Sequence, residues 1–327
     1  MSAEGEFDFI ARRLAPLSEG APGAASLQDD GALVDMDAGE TLAVTTDTLI
    51  EGRHFPDGGD ACLAAQKVLR VNLSDLAAMG ARPFGYFLNV SWPEGGAGDR
   101  TAAFVEGLAA DQARFGVRLL GGDTTRGPGP WMIAVTALGR RPAGVSLRRN
   151  AARTGDSLVA TGTIGDAGLG LRALQGDMLG AQPGARRWLE QRSLRPTPRL
   201  DAVPAMRRHA RAAIDVSDGL LADARHLAVN SRLRLDIALD AMAVSEAAAA
   251  WIATQDDEAA ARLCLAASGD DYELLLATPR PEALIAELAE AGLQAGVIGR
   301  FSRGPGAVHL TFRSEPVAPE RWGFTHF

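Results

Sequence analysis

The segment that decides the fold reads Ala212-Ala213-Ile214-Asp215-Val216-Ser217-Asp218-Gly219-Leu220, and an apolar pattern at helical spacing follows through Val229. It predicts a short buried strand, a loop carrying two carboxylates and a helix that begins near Leu220. This is the unit from which α/β layers are built. Asp218 is placed either to cap the helix or to bind a metal ion through its oxygens, and the pattern alone leaves both interpretations open.

The same alternation of elements extends over the whole chain. Strands are predicted at 42–46, 84–90, 118–120, 131–138, 157–161 and 274–277, and helices at 7–14, 61–79, 101–115 and 281–291. The chain has 327 residues, which is more than one core usually serves. The stretch 140–144 is typical of a passage between domains, so we predict α/β layers in two domains, 1–143 and 144–327.

Composition excludes several functional classes. The net charge is -8 and the positive charge is dispersed over many arginines, which argues against a nucleic-acid partner. Lys67 is the only lysine, and it lies in a predicted helix without the glycines of a Walker loop, so Schiff-base and phosphate-loop lysine mechanisms are disfavoured. Cys62 and Cys264 lack zinc-binding spacing and are interpreted as buried small residues.

The expected location is cytoplasmic. The first residues include Glu4, Glu6 and Asp8, where a signal peptide would be basic and then apolar. No stretch approaches the length and apolarity of a membrane span, so we expect no membrane partner.

Aspartates recur where apolar runs end, beside Gly, Ser and Thr. The set comprises Asp29, Asp30, Asp47, Asp75, Asp123, Asp215 and Asp218. Each one alone is better explained as a turn former or a helix cap. Together they favour several Mg²⁺ ions that also hold substrate phosphates.

Two details of the pattern bear on this hypothesis. Asp75 falls in the last turns of its predicted helix, where the helix dipole disfavours a carboxylate and a metal partner would compensate. Gly121 and Gly122, just before Asp123, let the backbone approach a bulky anion. The glycine-rich stretch 162–170 is interpreted as a structural turn, because it lacks both the Walker lysine and the dinucleotide-binding spacing.

Several segments together resemble the thiamine-monophosphate kinases, within the ATP-dependent family that includes aminoimidazole ribonucleotide synthetase, selenophosphate synthetase and a hydrogenase maturation protein. The resemblance runs nearly end to end and is carried by Gly5-Glu6-Phe7, Asp29-Asp30, Thr45-Thr46-Asp47-Thr48-Leu49, His54-Phe55, the run 71–80 (VNLSDLAAMG), the run 121–127 (GGDTTRG), Leu194-Arg195-Pro196, the run 215–220 (DVSDGL), Asp271-Tyr272-Glu273-Leu274 and His326-Phe327.

The resemblance implies an ATP-dependent phosphotransferase that phosphorylates thiamine phosphate to thiamine diphosphate, the last step of thiamine diphosphate biosynthesis. It implies an α/β (α+β) fold of two domains, each a mixed sheet covered by helices. The N-terminal domain would bind ATP and Mg²⁺ and form a homodimer, and the C-terminal domain would complete the active site.

The resemblance also assigns residues. The Mg²⁺ ligands would be Asp30, Thr45, Thr46, Asp47, Asp75, Asp123, Asp215 and Asp218. ATP would contact Gly121, Gly122, Arg149 and Ser217, and the thiamine phosphate pocket would contain His54, Asp270 and either Trp322 or Phe324. Asp47, Asp123, Asp218 and Arg149 would be catalytic, and a monovalent cation is a further candidate cofactor.

The chain departs from the family pattern at two places. The family usually has Gly-x-Gly before the paired aspartates, where this chain has Ser26-Leu27-Gln28. The family usually has Gly-Gly-Glu-Asp-Tyr, where this chain has Ser268-Gly269-Asp270-Asp271-Tyr272, so the substrate-facing carboxylate is one methylene shorter.

Two sister functions of the family need cysteines at particular places, and two other functions could use the same carboxylates. A selenophosphate synthetase would need a reactive cysteine near the N-terminus, and a hydrogenase maturation protein would need a C-terminal cysteine, where this chain ends in Phe327. A Mg²⁺-dependent phosphohydrolase or a nucleotide-binding sensor could use the same carboxylates.

Thiamine phosphate is largely a dianion near neutral pH, so direct in-line transfer needs no general base and is simpler than a phosphoaspartate intermediate.

Overall fold

A computed structural model of the protein describes residues 6–28, 31–94, 100–145, 147–177 and 182–324. Asp30, its neighbour Asp29 and the terminal motifs Gly5 and His326-Phe327 lie outside the described residues. The chain divides into two compact units. The first contains the residues up to Leu76 together with Ala81–Ala143, and the second contains Ala77–Gly80 and the residues from Gly144 onward.

The first unit is built around a four-stranded mixed sheet. Its strands are β1 (Glu40–Ile50), β2 (Arg82–Pro93), β3 (Arg118–Gly127) and β4 (Met132–Pro142). Its helices are the short α1 (Glu6–Phe9), which continues as a π-helical turn (Ile10–Leu14), α2 (Ala61–Ala78) and α3 (Arg100–Phe115), with 3₁₀ turns at Ala15–Ser18 and Pro22–Leu27. The strand order is β1-β4-β2-β3, and only β2 and β3 are parallel.

One face of this sheet is covered by α2 and α3. Alternate residues of β2, including Tyr86 and Trp92, are buried on that face, and the Phe104 ring of α3 packs edge-on against Trp92 at 5.6 Å. The two helices touch at Gly107, where a Cβ atom would lie 2.4 Å from the carbonyl oxygen of Cys62. The opposite face exposes Val44 of β1, so successive β1 side chains alternate between helix and solvent.

The second unit contains a seven-stranded mixed sheet of order β11-β10-β7-β9-β5-β8-β6. Its strands are β5 (Ser157–Thr161), β6 (Ala212–Asp215), β7 (Arg234–Ala238), β8 (Leu274–Thr278), β9 (Ala295–Ser302), β10 (Ala307–Phe312) and β11 (Glu315–Val317). Its helices are α4 (Asp166–Leu174), α5 (Pro183–Leu194), α6 (Val203–His209), α7 (Leu220–Ser231), α8 (Glu246–Ile252), α9 (Glu258–Ala266) and α10 (Pro281–Glu290), with 3₁₀ turns at Leu200–Ala202 and Leu239–Ala241.

The glycine-rich loop before α4 is structural, as the sequence indicated. The backbone N–H groups of Gly165 and Ala167 donate to the carboxylate of Asp271, at 2.6 and 3.1 Å. Gly165 has a φ of 92°, and a Cβ atom there would lie 2.5 Å from Leu265. The chain's own carboxylate therefore occupies the place at the start of α4 that a phosphate would take.

The predicted fold class is confirmed, and the helix predicted at 61–79 is α2. Two predicted strand ends are wrong. β1 does not end before Asp47 but runs on to Ile50, because Thr48 and Leu49 continue the alternation in register with β4. β3 does not break at Gly121-Gly122 but continues to Gly127, since β2 pairs with every residue from Gly121 to Gly127 after one register shift at Leu120. No helix among the described residues is long and apolar enough to cross a membrane.

Candidate functional site

Two carboxyl groups meet on the helix-covered face of the first unit. Asp47 of β1 lies beside Asp75, which is in the last turn of α2, and Thr45 donates a hydrogen bond to Asp75. Burial raises the pKa of Asp47 to about 7, and the charge of Asp75 and the hydrogen bond between the two carboxyl groups act in the same direction. Two neighbouring carboxylates repel each other when both are ionised and no cation is bound. Together with the Thr45 hydroxyl, they offer the oxygen ligands that a divalent cation such as Mg²⁺ prefers.

Thr46 points the other way. Because side chains alternate along a strand, its hydroxyl lies on the exposed face and accepts a hydrogen bond from Thr136 at 3.1 Å. The structure therefore brings Thr45, Asp47 and Asp75 together and leaves the Thr46 side chain on the opposite side of the sheet.

Asp123 also lies on the exposed face. Across the sheet, Asp123 of β3 pairs with Asn89 of β2, Asn89 pairs with Ala134 of β4, and Ala134 pairs with Thr48 of β1. Paired residues share a face, so Asp123 lies on the face of Thr48 and not on that of Asp47. Three strand spacings separate β3 from β1, or roughly 14 Å. Within this unit Asp123 is thus remote from the Asp47–Asp75 pair, and its assignment as a metal ligand stays a prediction.

A pocket of about 440 Å³ opens beside Asp123. Its lining includes apolar residues from the N-terminal helical turns and from the two parallel strands β2 and β3, namely Ile10, Leu14, Leu27, Phe87, Leu88, Leu119 and Leu120, together with Gly31, Asn89, Gly121, Gly122, Asp123 and Thr124. An apolar cleft of this size with a few polar groups at one end is typical of a small-molecule site.

Gly121 and Gly122 have a structural reason as well. Gly122 has a φ of 149°, and a Cβ atom there would lie 1.8 Å from the carbonyl oxygen of Leu88. The residue that the sequence associates with an anion is therefore already required by the close approach of β2 and β3. Its contact with ATP stays a prediction.

The departure at Ser26-Leu27-Gln28 has a backbone signature. Ser26 and Leu27 have φ values of 55° and 60°, in the left-handed region that favours glycine. Gln28 has an ordinary φ of -100°, so only one of the two positions where the family pattern has glycine, Ser26, is left-handed here.

His54 is held by its own turn. Its Nδ1 accepts the backbone N–H of Ile50 at 3.0 Å, and the side chain is half-buried. The neutral ring therefore carries its proton on Nε2. The structure explains the orientation of His54, and its substrate contact stays a prediction.

In the second unit, Asp215 ends β6 and the loop 216–219 leads into α7. The cap interpretation of Asp218 is wrong, because α7 has Gly219 at its N-cap with no side-chain cap bond. Asp223, in the first turn of the helix, accepts instead the backbone N–H groups of Ser217 and Asp218 at 3.0 and 3.1 Å. The Asp218 side chain is thereby left available for another role.

Two further candidate ligands, Asp223 and His226, were not predicted from the sequence. Their ligand atoms and that of Asp218 all lie within 4.8 Å of one another. Burial raises the pKa of Asp223 well above its usual range, and the neighbouring charges of Asp215 and Asp218 raise it further. The available signal was the i, i+3 spacing of Asp223 and His226, which places both on one side of the helix that follows the Asp-rich loop.

The segment with Asp270 and the end of the described chain both lie against this loop. The Asp270 N–H donates to the carbonyl of Ser217 at 2.8 Å, and the Tyr272 hydroxyl donates to the Asp270 carboxylate at 3.3 Å. The Phe324 N–H donates to the carbonyl of Asp218 at 2.9 Å, and its side chain is 44% exposed. Asp218, Asp270 and Phe324 are therefore brought together.

Neither Trp322 nor Arg149 is placed by its described contacts beside Asp218, Asp270 and Phe324. Trp322 is half-buried, packs against the core of the unit and lies under the Arg225 guanidinium. The Arg149 carbonyl accepts a hydrogen bond from Ser231 at the C-terminal end of α7. Asp218 precedes the other end, about 18 Å away at 1.5 Å per residue, so within this unit Arg149 and Asp218 are not neighbours.

Residues 28–141 match the family model of the AIR synthase related protein N-terminal domain, and residues 153–310 match that of its C-terminal domain. The two-unit fold and both matches define the chain as an AIR synthase related protein.

The full-length relatives narrow the class. A thiamine-monophosphate kinase of Caulobacter vibrioides is 42% identical over 98% of this chain and 90% of its own. The crystal structure of thiamine-monophosphate kinase from Stenotrophomonas maltophilia K279a has a TM-score of 0.79 at 39% identity, covering 89% of this chain and 91% of that one. AaThiL complexed with AMPPCP and TMP has a TM-score of 0.75 at 29% identity, covering 99% and 97%. This chain belongs to the thiamine-monophosphate kinase family.

The raised pKa of Asp47 predicts pH-dependent Mg²⁺ binding. Below pH 7 the Asp47–Asp75 pair holds a proton that must leave before a cation binds, so the affinity should fall roughly tenfold per pH unit below 7 and level off above it. Calorimetric titration of Mg²⁺ at pH 6 and pH 8 measures this. In Asp75→Asn the affinity should be lower at pH 8 and less dependent on pH. Equal affinities of the unmodified protein at both pH values would contradict the assignment.

Proposed function

We propose that this chain transfers the γ-phosphoryl group of ATP to thiamine phosphate, giving thiamine diphosphate and ADP, the last step of thiamine diphosphate biosynthesis. The observation that carries the proposal is the Asp47–Asp75 carboxyl pair with its raised Asp47 pKa. It stands in a chain whose full-length relative AaThiL is solved with AMPPCP and TMP.

The carboxylates of both units fit Mg²⁺ as the cofactor. Asp47, Asp75 and Thr45 would hold one ion in the first unit, and Asp215 and Asp218 would hold another in the second, with Asp30 and Asp123 as further ligands. Bound Mg²⁺ supplies neutralisation of phosphate charge, which allows two anions to approach each other. The protein's own part is to keep these carboxylates preorganised, so that ions and phosphates are aligned on binding.

The acceptor needs no general base. The second pKa of a phosphate monoester is about 6, so thiamine phosphate already carries a nucleophilic dianion near neutral pH. Asp47 then acts as a metal ligand and not as a nucleophile, and transfer is direct and in line. Arg149 would clamp a phosphate of ATP through its guanidinium.

Different regions suit the two substrates. The 440 Å³ pocket beside Gly121, Gly122 and Asp123 offers apolar walls for the base of ATP and a polar end for its phosphates. Asp270 and the exposed ring of Phe324 suit the cationic, planar thiazolium ring, as a counter-charge and an aromatic face. Ser217 and His54 complete the proposed contacts.

The direct test is ADP formation from Mg-ATP with thiamine phosphate, with thiamine and with no acceptor. A thiamine-phosphate kinase should form ADP only when thiamine phosphate is the acceptor. Asp47→Asn should reduce the rate at least about 100-fold, since it removes a cation ligand, while the exposed variant Asp8→Asn should retain activity. Circular dichroism should show both variants folded.

The same assay separates the competing functions. Equal release of ADP and phosphate without acceptor would establish a phosphohydrolase, and no turnover with any acceptor would favour a nucleotide-binding sensor. A hydroxylamine-sensitive acyl phosphate on the protein would contradict direct transfer.

Alanine variants of Phe324 and Trp322 should have different effects on substrate binding and stability. Phe324→Ala should raise the KM for thiamine phosphate about two- to fivefold, with little effect on the KM for ATP or on the melting temperature, since an exposed cation–π contact contributes about 0.5–1 kcal/mol. Trp322→Ala should lower the melting temperature, because the ring packs on the core. The reverse pattern would assign the substrate contact to Trp322.

We also propose a homodimer that forms through the first unit. The exposed face of its sheet carries Leu42, Val44 and Met132, which are 38%, 58% and 42% exposed. Apolar groups on one uncovered face mark an interaction surface, and a second copy presents the same face.

Sedimentation velocity tests the dimer. Val44→Lys should produce monomers, because it places a charge on the proposed interface, whereas Val297→Lys, at a 43% exposed strand position of the second unit, should leave the dimer intact. A dimer that persists in Val44→Lys would contradict this interface.

A cytoplasmic location fits an enzyme that consumes ATP. Cell fractionation that placed the chain outside the cytoplasmic fraction would contradict it.

A further inference from the structure

The short segment that carries Asp270 has an unusual backbone conformation beside the loop that leads into α7. Asp270 and Tyr272 have φ values of 69° and 52°, in the left-handed region that residues with side chains rarely adopt. The Asp270 N–H donates to the carbonyl of Ser217, and the Tyr272 N–H donates to that of Val216, both at 2.8 Å. Residues in such conformations persist only where the surrounding structure holds them, and they cluster at functional sites.

Asp271, the residue between these two, fastens the segment to α4. Its side chain is fully buried. Its Oδ2 accepts the backbone N–H of Gly165 at 2.6 Å, and its Oδ1 accepts that of Ala167 at 3.1 Å. A buried carboxylate is costly without partners, and two N–H donors at the positive end of a helix stabilise it. Asp271 therefore ties the segment to the start of α4.

Glu273 holds the far end of the same segment. Its carboxylate is fully buried and accepts a hydrogen bond from the Arg199 Nε at 2.6 Å. Arg192 of α5 donates both to the Glu273 carboxylate and to the Asp271 carbonyl, at 3.0 and 3.3 Å. The backbone that follows Asp271 is therefore fixed as well.

The Asp270 carboxylate follows this backbone closely. An aspartate has one side-chain torsion fewer than the glutamate of the family pattern, so the φ and ψ of its own residue place its carboxylate with less room for adjustment. The Tyr272 hydroxyl donates to its Oδ1 at 3.3 Å and favours one orientation of the group. Asp270 itself is half-buried, so part of it stays in contact with solvent.

We propose that Asp271 and Tyr272 are positioning residues for the Asp270 carboxylate. Asp271 fixes the backbone from which the carboxylate projects, and Tyr272 fixes its orientation. A counter-charge that is already in place can bind the cationic ring of thiamine phosphate without the cost of ordering a mobile side chain. The inference rests on the proposed function, because Asp270 is the proposed counter-charge for that ring.

Calorimetric titration of thiamine phosphate into the full chain, saturated with Mg²⁺ and AMPPCP, tests the proposal. Asp271→Asn should weaken the binding at least about threefold, because the amide oxygen can accept only one of the two N–H groups that Asp271 accepts. Tyr272→Phe should weaken it about twofold, since it removes only the hydroxyl. The affinity for AMPPCP should change less than that for thiamine phosphate in both variants.

Double variants separate positioning from a general loss of structure. In a chain that already carries Asp270→Ala, neither Asp271→Asn nor Tyr272→Phe should weaken thiamine phosphate binding further, because both act through the carboxylate that has been removed. The same loss with and without Asp270 would overturn the proposal, as would an Asp270→Ala variant that binds as tightly as the unmodified chain. If Asp271→Asn does not fold, Tyr272→Phe, which keeps the ring, carries the same test.

Asp156→Asn is the matched control. Asp156 is 1% exposed and accepts the Arg153 N–H and the Arg211 guanidinium, both at 2.8 Å. It directly precedes β5, whose opposite end lies beside Glu273. Asp156→Asn should lower the melting temperature and leave the affinity for thiamine phosphate unchanged. Equal weakening in Asp156→Asn and Asp271→Asn would make the effect a structural one and overturn the proposal.

ADP formation decides the proposed function separately. A chain that binds thiamine phosphate but forms no ADP would refute the proposed transfer, and the double variants would still decide the positioning role. A chain that binds no thiamine phosphate would refute both.

Discussion

The structure depends on carboxylates that are held close together in partly buried surroundings. Bare anions at such distances repel each other, and burial adds to the cost because it removes water. Asp47 shows the result in the first unit, where its pKa rises to about 7 beside Asp75. Asp223 shows it in the second unit beside Asp215 and Asp218. Each group is unfavourable as a bare set of anions, and a bound cation would relieve the repulsion.

The backbone fixes these groups before any cation arrives. Asp47 lies in the interior of β1, paired in register with β4, and Asp75 is anchored in α2 and bonded by Thr45. In the second unit the buried Asp223 holds the loop of Ser217 and Asp218 through their N–H groups. Preorganisation of this kind suits transfer between two phosphates, because the carboxylates need not be gathered at the moment of reaction.

The sequence predicted the α/β layers and most helices, since long periodic segments such as α2 are decided locally. It misplaced the ends of β1 and β3. Asp47 and Gly121-Gly122 resemble loop residues by composition, and the pairing partners that keep them in strands are distant in the sequence. Tertiary pairing is not encoded in a local pattern.

In the candidate site, too, the sequence predicted what depends on local residues and not what depends on tertiary structure. The sequence and the family resemblance selected Asp47, Asp75, Asp215 and Asp218, because carboxylates beside Gly and Ser recur at ends of elements. They could not show that Thr46 and Asp123 lie on the face of the sheet opposite Asp47, which depends on register. They also missed Asp223, because a helical aspartate is usually a surface residue and only the fold shows that this one is buried.

The stability of the protein with and without Mg²⁺ tests the central claim, that the carboxylates are stored in an unfavourable state which a cation relieves. Melting temperatures are measured at pH 8 for the unmodified chain and for Asp75→Asn. We predict that Mg²⁺ raises the melting temperature of the unmodified chain by a few degrees. Asp75→Asn should melt higher than the unmodified chain without Mg²⁺ and gain less from adding it. A variant that melts lower without Mg²⁺ and gains as much from it as the unmodified chain would contradict the account.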